Sequence, residues 1–341
     1  MKNVIILSMI LWSACTDVKD KPSSTVANAS RPKYAIVIHG GAGTLSKDDM
    51  DAQTEKAYKD ALNEALTEGE NIIKSGGKSI DAVVAAIKSM EDSPLFNAGK
   101  GAVFTHEGKN ELDASIMTGD QQMAGAVGAV TNVKNPIILA KTIMEESKHV
   151  MMVGKGAEAF AAEHDLEIVD PTYFYTQKRW DGLQQALAEE KNSIHDKMSK
   201  IPNKKHGTVG CVALDLSGNI VAGTSTGGMT NKMYNRLGDS PIIGAGTYAD
   251  NNTCGVSCTG HGEFFIRYTV ARDIAALMEY KGLTLRQACD TIVYKKLVAK
   301  GGEGGLIAID KDGNIEMPFN TSGMYRGWSK DGQRGVKIYK D

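Results

Sequence analysis

A glycine–threonine pair that opens an apolar stretch carries the clearest chemistry in this sequence. Residues 206–210 read HGTVG, and apolar residues continue from Val209 to Leu214. A threonine inside a chain is a poor nucleophile, but cleavage of the Gly207–Thr208 bond would give Thr208 a free α-amine beside its own hydroxyl. The reference pKa of an α-amine, about 7.7–8.0, suits a base near neutral pH. Thr208 could then be nucleophile and base together, although a Gly-Thr pair alone more often marks a turn.

Six further motifs stand around this pair in a fixed order. They are HGGAG at 39–43, PLFNAG at 94–99, TSTGGMTNK at 224–232, RLGDSP at 236–241, GAGTYAD at 244–250 and TGHGE at 259–263. Together the motifs resemble the plant-type asparaginase and isoaspartyl peptidase family, whose members are N-terminal nucleophile hydrolases. The resemblance runs from Tyr34 to the region of Gly323. It implies an α+β fold, a four-layer αββα sandwich, in which residues 34–207 form an α subunit and residues 208–341 a β subunit released by autocleavage between Gly207 and Thr208.

The resemblance also implies roles for residues around Thr208. Thr226 matches a threonine that hydrogen-bonds near the nucleophile, and Asn97 matches an asparagine that supports it. Thr259 and Gly260 match the pair that holds the oxyanion, through a hydroxyl and a backbone amide. Arg236 and Asp239 suit the α-carboxylate and the α-ammonium of a substrate. The full substrate-binding set is Arg236, Leu237, Gly238, Asp239, Thr259, Gly260, His261 and Gly262.

The implied activity is hydrolysis of L-asparagine to L-aspartate and ammonia, and of β-aspartyl (isoaspartyl) dipeptides. The family uses no catalytic cofactor, but it holds a structural sodium ion through backbone atoms of one loop. The matching residues are Met90, Glu91, Ser93, Phe96, Ala98 and Lys100. An (αβ)2 homo-assembly is also implied. The formal charge of -2 and the absence of long basic runs argue against a nucleic-acid partner.

Two other functions are compatible with parts of this pattern. A glycosylasparaginase of the same fold would act on N4-glycosyl-asparagine, but residues 260–263 differ from the more acidic loop expected there, and the HGG at 39–41 favours the asparaginase branch. A catalytically silent envelope binding protein is the second alternative. The intact set of Thr208, Thr226, Arg236, Asp239 and Thr259 argues against it.

The N-terminus has the layout of a secretory leader. Lys2 precedes an apolar run at residues 4–12, and small residues follow at 13–15. We therefore predict a signal peptide at residues 1–15, a polar linker at 16–33, and export to the periplasm or cell envelope. Cys15 before the polar segment resembles a bacterial lipoprotein signal and would carry a lipid anchor, although Trp12 departs from the aliphatic residue usual three positions earlier.

The other cysteines are Cys211, Cys254, Cys258 and Cys289. An oxidising compartment permits a disulfide between Cys254 and Cys258, but their spacing does not establish one. With His261 they also form a C-x3-C-x2-H pattern, which lacks a fourth zinc ligand nearby.

Three rival motifs are weak. The G-x-G that begins at Gly41 has Ser46 where a dinucleotide fingerprint needs glycine. Residues 77–79 (GKS) imitate a phosphate-binding loop, but Ile72 replaces its first glycine. Ser225 could be the serine of a hydrolase triad, but it lacks the G-x-S-x-G elbow.

The elements that would position these residues alternate along the chain. The patterns predict strands at 34–38, 103–104, 114–117 and 124–130, and a hairpin with strands at 209–215 and 220–224. Helices are expected at 48–75, 80–90 with Ser79 as N-cap, 137–146, 155–164, 263–280 and 285–297. The polar segment 178–205 begins as helix and ends as a connector, and residues 305–317 form a closing hairpin. This order indicates two packed sheets flanked by helices, in agreement with the αββα sandwich.

Overall fold

The structure is a computed structural model that describes residues 34–43, 47, 50–193 and 207–340. The predicted leader and linker, the end of the connector, and with them Cys15 and His206, lie outside these residues. None of the helices in the described part is long and apolar enough to cross a membrane.

The described residues form two β-sheets and helices on their outer faces. The strands are β1 (Ala35–Gly43), β2 (Leu112–Thr118), β3 (Ala124–Val130), β4 (Met151–Val153), β5 (Val209–Leu214), β6 (Ile220–Thr226), β7 (Thr247–Ala249), β8 (Cys254–Gly260), β9 (Gly304–Asp310), β10 (Ile315–Glu316), β11 (Gly323–Lys330) and β12 (Gln333–Tyr339). The helices are α1 (Ala52–Lys74), α2 (Ser79–Asp92), α3 (Pro136–Glu146), α4 (Gly154–Glu163), α5 (Gln177–Ser193), α6 (Gly262–Arg267), α7 (Val270–Lys281), α8 (Leu285–Asp290) and α9 (Val298–Lys300). Short 3-10 turns lie at Gly99–Gly101 and Pro171–Phe174, and a π-helical segment, Thr291–Leu297, joins α8 to α9.

The larger sheet has eight strands in the order β12-β11-β1-β5-β6-β2-β3-β4, and the smaller has four in the order β10-β9-β8-β7. Neighbouring strands are antiparallel except β3 and β4, which run parallel. Strand β5, which follows Thr208, therefore lies in the interior of the larger sheet between β1 and β6.

Strand β1 is buried on both faces and shows how the layers stack. Ile36 and Ile38 point into a core shared with α1 and α2, whereas Ala35 and Val37 point into a second core shared with β8, β9, α7 and α8. Successive side chains of a strand face opposite sides, so one apolar run serves both cores. The order of layers is helices, larger sheet, smaller sheet, helices, and the predicted αββα sandwich is confirmed.

The predicted hairpin around the Gly-Thr pair is also confirmed. Strands β5 and β6 pair with Val209 opposite Ser225, which brings Thr208 beside Thr226 at one end of the sheet. In the smaller sheet, Thr259 and Gly260 are the last two residues of β8. The cores thus fix the ends of two strands that belong to different sheets.

Four element predictions are wrong. Ser79 is not the N-cap of α2 but its first residue, and the carboxylate of Asp215 accepts from the Ser79 amide at 3.0 Å. Residues 103–104 form no strand, because the amide of Val103 donates to the side chain of Asn97 at 2.9 Å instead of to a neighbouring strand. The predicted helix 285–297 is α-helical only as far as Asp290 and continues as the π-helical segment.

The predicted helix 263–280 is two helices. It breaks at Thr269, which has a left-handed backbone with φ of 46°. The amides of Ala271 and Arg272, in the first turn of α7, donate to the carbonyls of Ala245 and Gly244 at 3.1 and 2.8 Å. These contacts satisfy donors that a helix start leaves unpaired, and they account for the break.

Candidate active site

Thr208 lies at the end of the larger sheet with its hydroxyl directed at Thr226. The residue is 6% exposed, and its Oγ1 donates to Thr226 Oγ1 at 3.1 Å. The single proton of Thr226 is directed to the carbonyl of Gly207 at 3.2 Å, and its oxygen also accepts from the amide of Gly228 at 3.0 Å. Thr226 is thereby fixed between the Thr208 hydroxyl and the carbonyl of the preceding peptide bond.

Asn97 holds that same carbonyl from the other side. Its Nδ2 donates to the carbonyl oxygens of Gly207 and Gly228, both at 2.8 Å, while its Oδ1 accepts from Val103. Because backbone groups contact both the nitrogen and the oxygen of the Asn97 side-chain amide, only one orientation of that amide satisfies all three hydrogen bonds. The Gly207 carbonyl therefore has two donors, Asn97 Nδ2 and Thr226 Oγ1, beside the hydroxyl of Thr208.

A close backbone approach makes this geometry possible. Gly41, at a φ of 111°, packs so tightly that a Cβ there would lie 2.9 Å from Gly207 Cα and 3.2 Å from Thr208 N. Only glycine allows both this backbone conformation and this contact without strain. The second glycine of the HGGAG motif thus lies against the Gly207–Thr208 bond.

The expected oxyanion pair approaches from the smaller sheet. Thr259 is fully buried, and its Oγ1 accepts from the amide of Ala42 at 3.2 Å, which leaves its own hydroxyl proton available to another acceptor. A Cβ on Gly260 would lie 2.5 Å from the carbonyl oxygen of Glu303 and 2.7 Å from Cα of Gly304, so a side chain there would collide with the start of β9. Ala42 follows Gly41 directly, and β1 therefore contacts both Thr208 and Thr259.

Arg236 and Asp239 meet at Gly262. A Cβ on Gly262 would lie 2.8 Å from Arg236 Nη2 and 3.0 Å from Asp239 Oδ1, so Gly262 leaves the space in front of both groups open. Leu237 packs against Gly128 of β3, and Gly238 lies against Arg236 Nη1. The predicted substrate-binding residues 236–239 and Gly262 are thus brought together.

Asp239 is a buried carboxyl with an unused oxygen. It is 4% exposed, and among the described residues its Oδ2 has no hydrogen-bond partner. Burial raises its pKa to about 7, because the nearby Arg236 guanidinium only partly offsets the loss of solvent. A cation placed at this oxygen would favour the ionised form.

Arg236 already pairs with a carboxylate that the sequence did not suggest. Its Nε and Nη2 donate to the two oxygens of Glu263, both at 2.8 Å. Burial alone would raise the pKa of Glu263, but the hydrogen bonds and charge of Arg236 outweigh burial and lower it. His261 stands between the expected oxyanion pair and this ion pair, with Nε2 3.6 Å from Glu263 Oε2.

Two further buried groups escaped the sequence analysis. His39 Nδ1 lies 2.9 Å from the carbonyl oxygen of Thr208, and the histidine of HGGAG was its only signal. Glu91 Oε1 accepts from Ser225 Oγ at 2.6 Å, and burial raises the pKa of this carboxyl to about 8. Ser225 is fully buried in that contact, so the structure contradicts a serine nucleophile at this position.

The cysteines form no disulfide and no metal site in the part of the chain that the structure describes. Cys211, Cys254, Cys258 and Cys289 are free and buried. Cys254 and Cys258 lie four residues apart on one strand, about 13 Å at ~3.3 Å per residue, which is far beyond disulfide reach. Groups of three or more His, Cys, Asp or Glu able to hold a metal are absent from the described ranges, and the zinc pattern with His261 is not realised. Residues 77–78 separate two helices, whereas a phosphate-binding loop follows a strand.

The chain is similar to known proteins over most of its length. A family model described as asparaginase matches residues 32–338. The chain is 50% identical over 311 residues to an isoaspartyl peptidase of Escherichia coli K12, covering 91% of this chain and 97% of that protein. It is 47% identical over 324 residues to a putative isoaspartyl peptidase/L-asparaginase of Dictyostelium discoideum, covering 87% and 93%. It is 40% identical over 306 residues to a plant-type L-asparaginase of Pyrococcus furiosus, covering 88% and 97%.

Proposed function

Because this chain belongs to the asparaginase family, we propose that it is an amidohydrolase that matures by self-cleavage and hydrolyses L-asparagine and β-aspartyl dipeptides. The observation that carries the proposal is the position of Thr208. Its hydroxyl faces Thr226, and the carbonyl of the bond to be cut is held by Asn97 Nδ2 at 2.8 Å. The names of the similar proteins support the same substrates.

Self-cleavage begins with attack of Thr208 Oγ1 on the carbonyl carbon of Gly207. The negative charge that develops on the Gly207 oxygen is stabilised by Asn97 Nδ2 and the hydroxyl of Thr226, which already donate to it. The C–N bond then breaks, the nitrogen takes up the proton that the Thr208 hydroxyl lost and becomes the α-amine of Thr208, and Gly207 remains bound as an ester. Water hydrolyses that ester and leaves a carboxylate on Gly207 and a free hydroxyl on Thr208.

Substrate hydrolysis uses the freed residue again. The α-amine of Thr208 accepts the proton of its own hydroxyl as Oγ1 attacks the side-chain carbonyl of the substrate. The hydroxyl of Thr259 and the amide of Gly260 stabilise the oxyanion. The leaving group takes the proton from the α-ammonium and departs as ammonia or as the second amino acid. Water then hydrolyses the acyl-enzyme and releases aspartate.

The charged end of the substrate is held by the groups around Gly262. Asp239 receives the α-ammonium at its unpaired Oδ2, which restores the ionised carboxylate. The α-carboxylate binds the guanidinium of Arg236, whose orientation Glu263 fixes. Both substrate classes share this aspartyl end, so one set of residues serves both.

We also propose that the loop at 90–100 holds a structural sodium ion. The loop brings the carbonyls of Glu91 and Phe96 against Gly99 and Gly101, where a Cβ would collide with them. Backbone oxygens of this kind suit a hard cation. The ion's donors would be the backbone atoms of Met90, Glu91, Ser93, Phe96, Ala98 and Lys100, and its contribution is to the placement of Asn97.

Export, a lipid anchor at Cys15 and an (αβ)2 assembly are further proposals. Export and lipidation rest on the sequence of residues 1–33, and the assembly rests on the family resemblance. The mass of the protein isolated from a cell envelope fraction tests the first two, because leader removal and lipidation change the mass of the N-terminal fragment by defined amounts. Sedimentation of the cleaved protein tests the third.

The activity is tested with three substrates and one variant. Purified wild type should release ammonia from L-asparagine and leucine from β-aspartyl-leucine, and should be inactive on N4-acetylglucosaminyl-asparagine. Thr208→Ala should be inactive on the first two at the same concentration of folded protein. Activity of wild type on the glycosylated substrate alone would support a glycosylasparaginase instead, and full activity of Thr208→Ala would exclude the proposed nucleophile.

A further inference from the structure

His39 contacts the main chain of Thr208 from within the sandwich. The residue is fully buried, and its Nδ1 lies 2.9 Å from the carbonyl oxygen of Thr208, while Nε2 lies 3.0 Å from Ser257 Oγ. A carbonyl oxygen only accepts hydrogen bonds, so Nδ1 carries the proton and Nε2 accepts from Ser257. Burial lowers the pKa of His39 to about 3, and the ring is therefore neutral in this one tautomer at working pH.

A chain of buried hydroxyls continues from Ser257 across both sheets. Ser257 Oγ lies 2.7 Å from Thr224 Oγ1, and Thr224 Oγ1 accepts from Thr247 Oγ1 at 2.6 Å. Ser115 Oγ follows at 2.8 Å from Thr247 Oγ1 and 2.6 Å from the carbonyl oxygen of Ser240. Because the proton of Ser257 is directed to His39, Thr224 donates to Ser257 and Thr247 donates to Thr224. The donors from Thr247 through Thr224 and Ser257 to His39 thus all point towards Thr208. The single proton of Ser115 goes either to the Ser240 carbonyl or to Thr247 Oγ1 and cannot serve both.

The glycine at position 210 provides an independent sign that this contact is built into the fold. A Cβ on Gly210 would overlap with Ser257 Oγ and with His39 Nε2. Strand β5 therefore has a glycine, without a side chain, at the point where the His39 ring meets the Ser257 hydroxyl. Buried hydrogen bonds that are linked in series polarise one another, and a member left without a partner is costly.

We propose that His39 is a positioning residue for the nucleophile, with the hydroxyls of Ser257, Thr224 and Thr247 holding its ring in place through a continuous series of donors. The donated Nδ1–H holds the carbonyl of Thr208 and with it the rotation of the residue that carries both the amine and the hydroxyl. This inference rests on the proposed role of Thr208. It makes the imidazole neither an acid nor a base in the reaction.

The test compares four variants by kcat per cleaved site, KM and melting temperature. His39→Leu removes the donor, whereas His39→Asn places its amide nitrogen near the position of Nδ1 and keeps it. Ser257→Ala removes the hydrogen bond to Nε2 and lets the ring shift from the position in which Nδ1 holds the Thr208 carbonyl. Ser329→Ala is the matched control, since Ser329 is equally buried and donates at 2.6 Å to Glu70 at a distance from the site.

We expect kcat to fall about 10- to 100-fold in His39→Leu and about 10-fold in Ser257→Ala, with KM within about twofold, because small displacements of a reacting group are costly. His39→Asn should recover part of the loss, and Ser329→Ala should match wild type. The fraction of cleaved chains, measured by mass, normalises each kcat. A kcat within twofold of wild type in both His39→Leu and Ser257→Ala would overturn the inference, as would equal losses in His39→Asn and His39→Leu. An active Thr208→Ala variant would instead overturn the proposed function on which the inference rests.

Discussion

Arg236 shows most directly how a single residue divides its contacts between the protein and a substrate. Glu263 occupies its Nε and Nη2, whereas Nη1 lies beside Gly238. A lysine in its place would keep a charge but lose the planar, paired geometry. We expect Arg236→Lys to lose about 2–3 kcal/mol of transition-state stabilisation, which lowers kcat/KM for asparagine roughly 30- to 150-fold.

The same variant should cleave itself at close to the wild-type rate, because Arg236 has no contact with the Gly207 carbonyl. Steady-state kinetics and a time course of fragment formation separate the two effects. Wild-type kinetics in Arg236→Lys would show that another residue binds the α-carboxylate.

Two groups should control the dependence of activity on pH. The α-amine of Thr208 has a reference pKa of about 7.7–8.0 and must be neutral to act as base. Asp239, with a pKa raised to about 7, must be ionised to bind the substrate ammonium. We therefore expect kcat/KM to rise with pH through both transitions, whereas kcat should rise through the amine transition alone because bound substrate keeps Asp239 ionised.

His261 provides the control for this assignment. It lies beside Thr259 and Gly260, and its replacement by alanine should lower the rate while leaving the rise of kcat with pH in place. Full pH profiles of kcat for wild type and His261→Ala make the comparison. A flat profile in His261→Ala, with Thr208 shown by mass to be exposed, would move the general base to the histidine.

Much of the site could be predicted from individual residues, but the buried groups behind Thr208 and Ser225 could not. The motifs grouped Thr208, Thr226 and Asn97, and the structure places these three side chains around the Gly207 carbonyl. The roles of His39 and Glu91 depend on contacts across 169 and 134 residues of sequence. Such contacts follow from the packing of sheets and helices, and no local sequence pattern predicts them.

Among the elements, the loop between α2 and the 3-10 turn Gly99–Gly101 is the most constrained. A Cβ at Gly101 would meet the carbonyl of Phe96 and lie 2.8 Å from that of Pro94. We expect Gly101→Ala to destabilise the protein by about 1–3 kcal/mol through forced backbone shifts and to slow self-cleavage, because Asn97 lies in the displaced loop.

Gly182 in α5 is the matched control, since nothing lies within 4 Å of a Cβ added there. Gly182→Ala should be neutral or stabilising by about 0.5–1 kcal/mol, because alanine is the better helix former. Thermal unfolding and the half-time of self-cleavage measure both effects. Equal stability and equal cleavage of the two variants would exclude a tightly packed loop at Gly101.

The predictions of helix boundaries failed where hydrogen-bond partners distant in sequence replaced partners nearby in sequence. The sequence indicated Ser79 as the helix cap, but Asp215 from the β5–β6 turn performs that role. It indicated one helix over 263–280, but the carbonyls of Gly244 and Ala245 favour a new start after Thr269. Strand β8 was not predicted because small residues such as Gly255 and Ser257 weaken its pattern, yet these residues permit the sheets to approach.

In the whole molecule the two predicted fragments are interleaved in one sheet. Strand β1 of the first fragment lies between β11 and β5 of the second, and β2 pairs with β6. We expect the cleaved fragments to elute together by size exclusion and to separate only in denaturant. Unfolding should be a single transition followed equally by both fragments. Recovery of a folded, isolated fragment from cleaved protein under native conditions would contradict this arrangement.

The layered architecture could be predicted because its signal is repeated along the chain. Apolar strands buried on both faces, as in β1, alternate with helices that are apolar on one face, as in α1 and α2. The order of strands could not be read in this way. It depends on which edges meet, and β11 and β12 return from the end of the chain to pair beside β1.

The central claim is that Thr208 becomes a chain terminus by its own chemistry, and intact mass spectrometry of denatured protein tests it most directly. Active wild type should contain one fragment that ends at Gly207 and one that runs from Thr208 to Asp341, whereas Thr208→Ala should give a single uncut chain. A fully active wild-type preparation that contains only the uncut chain would contradict the account, as would cleavage at the same bond in Thr208→Ala.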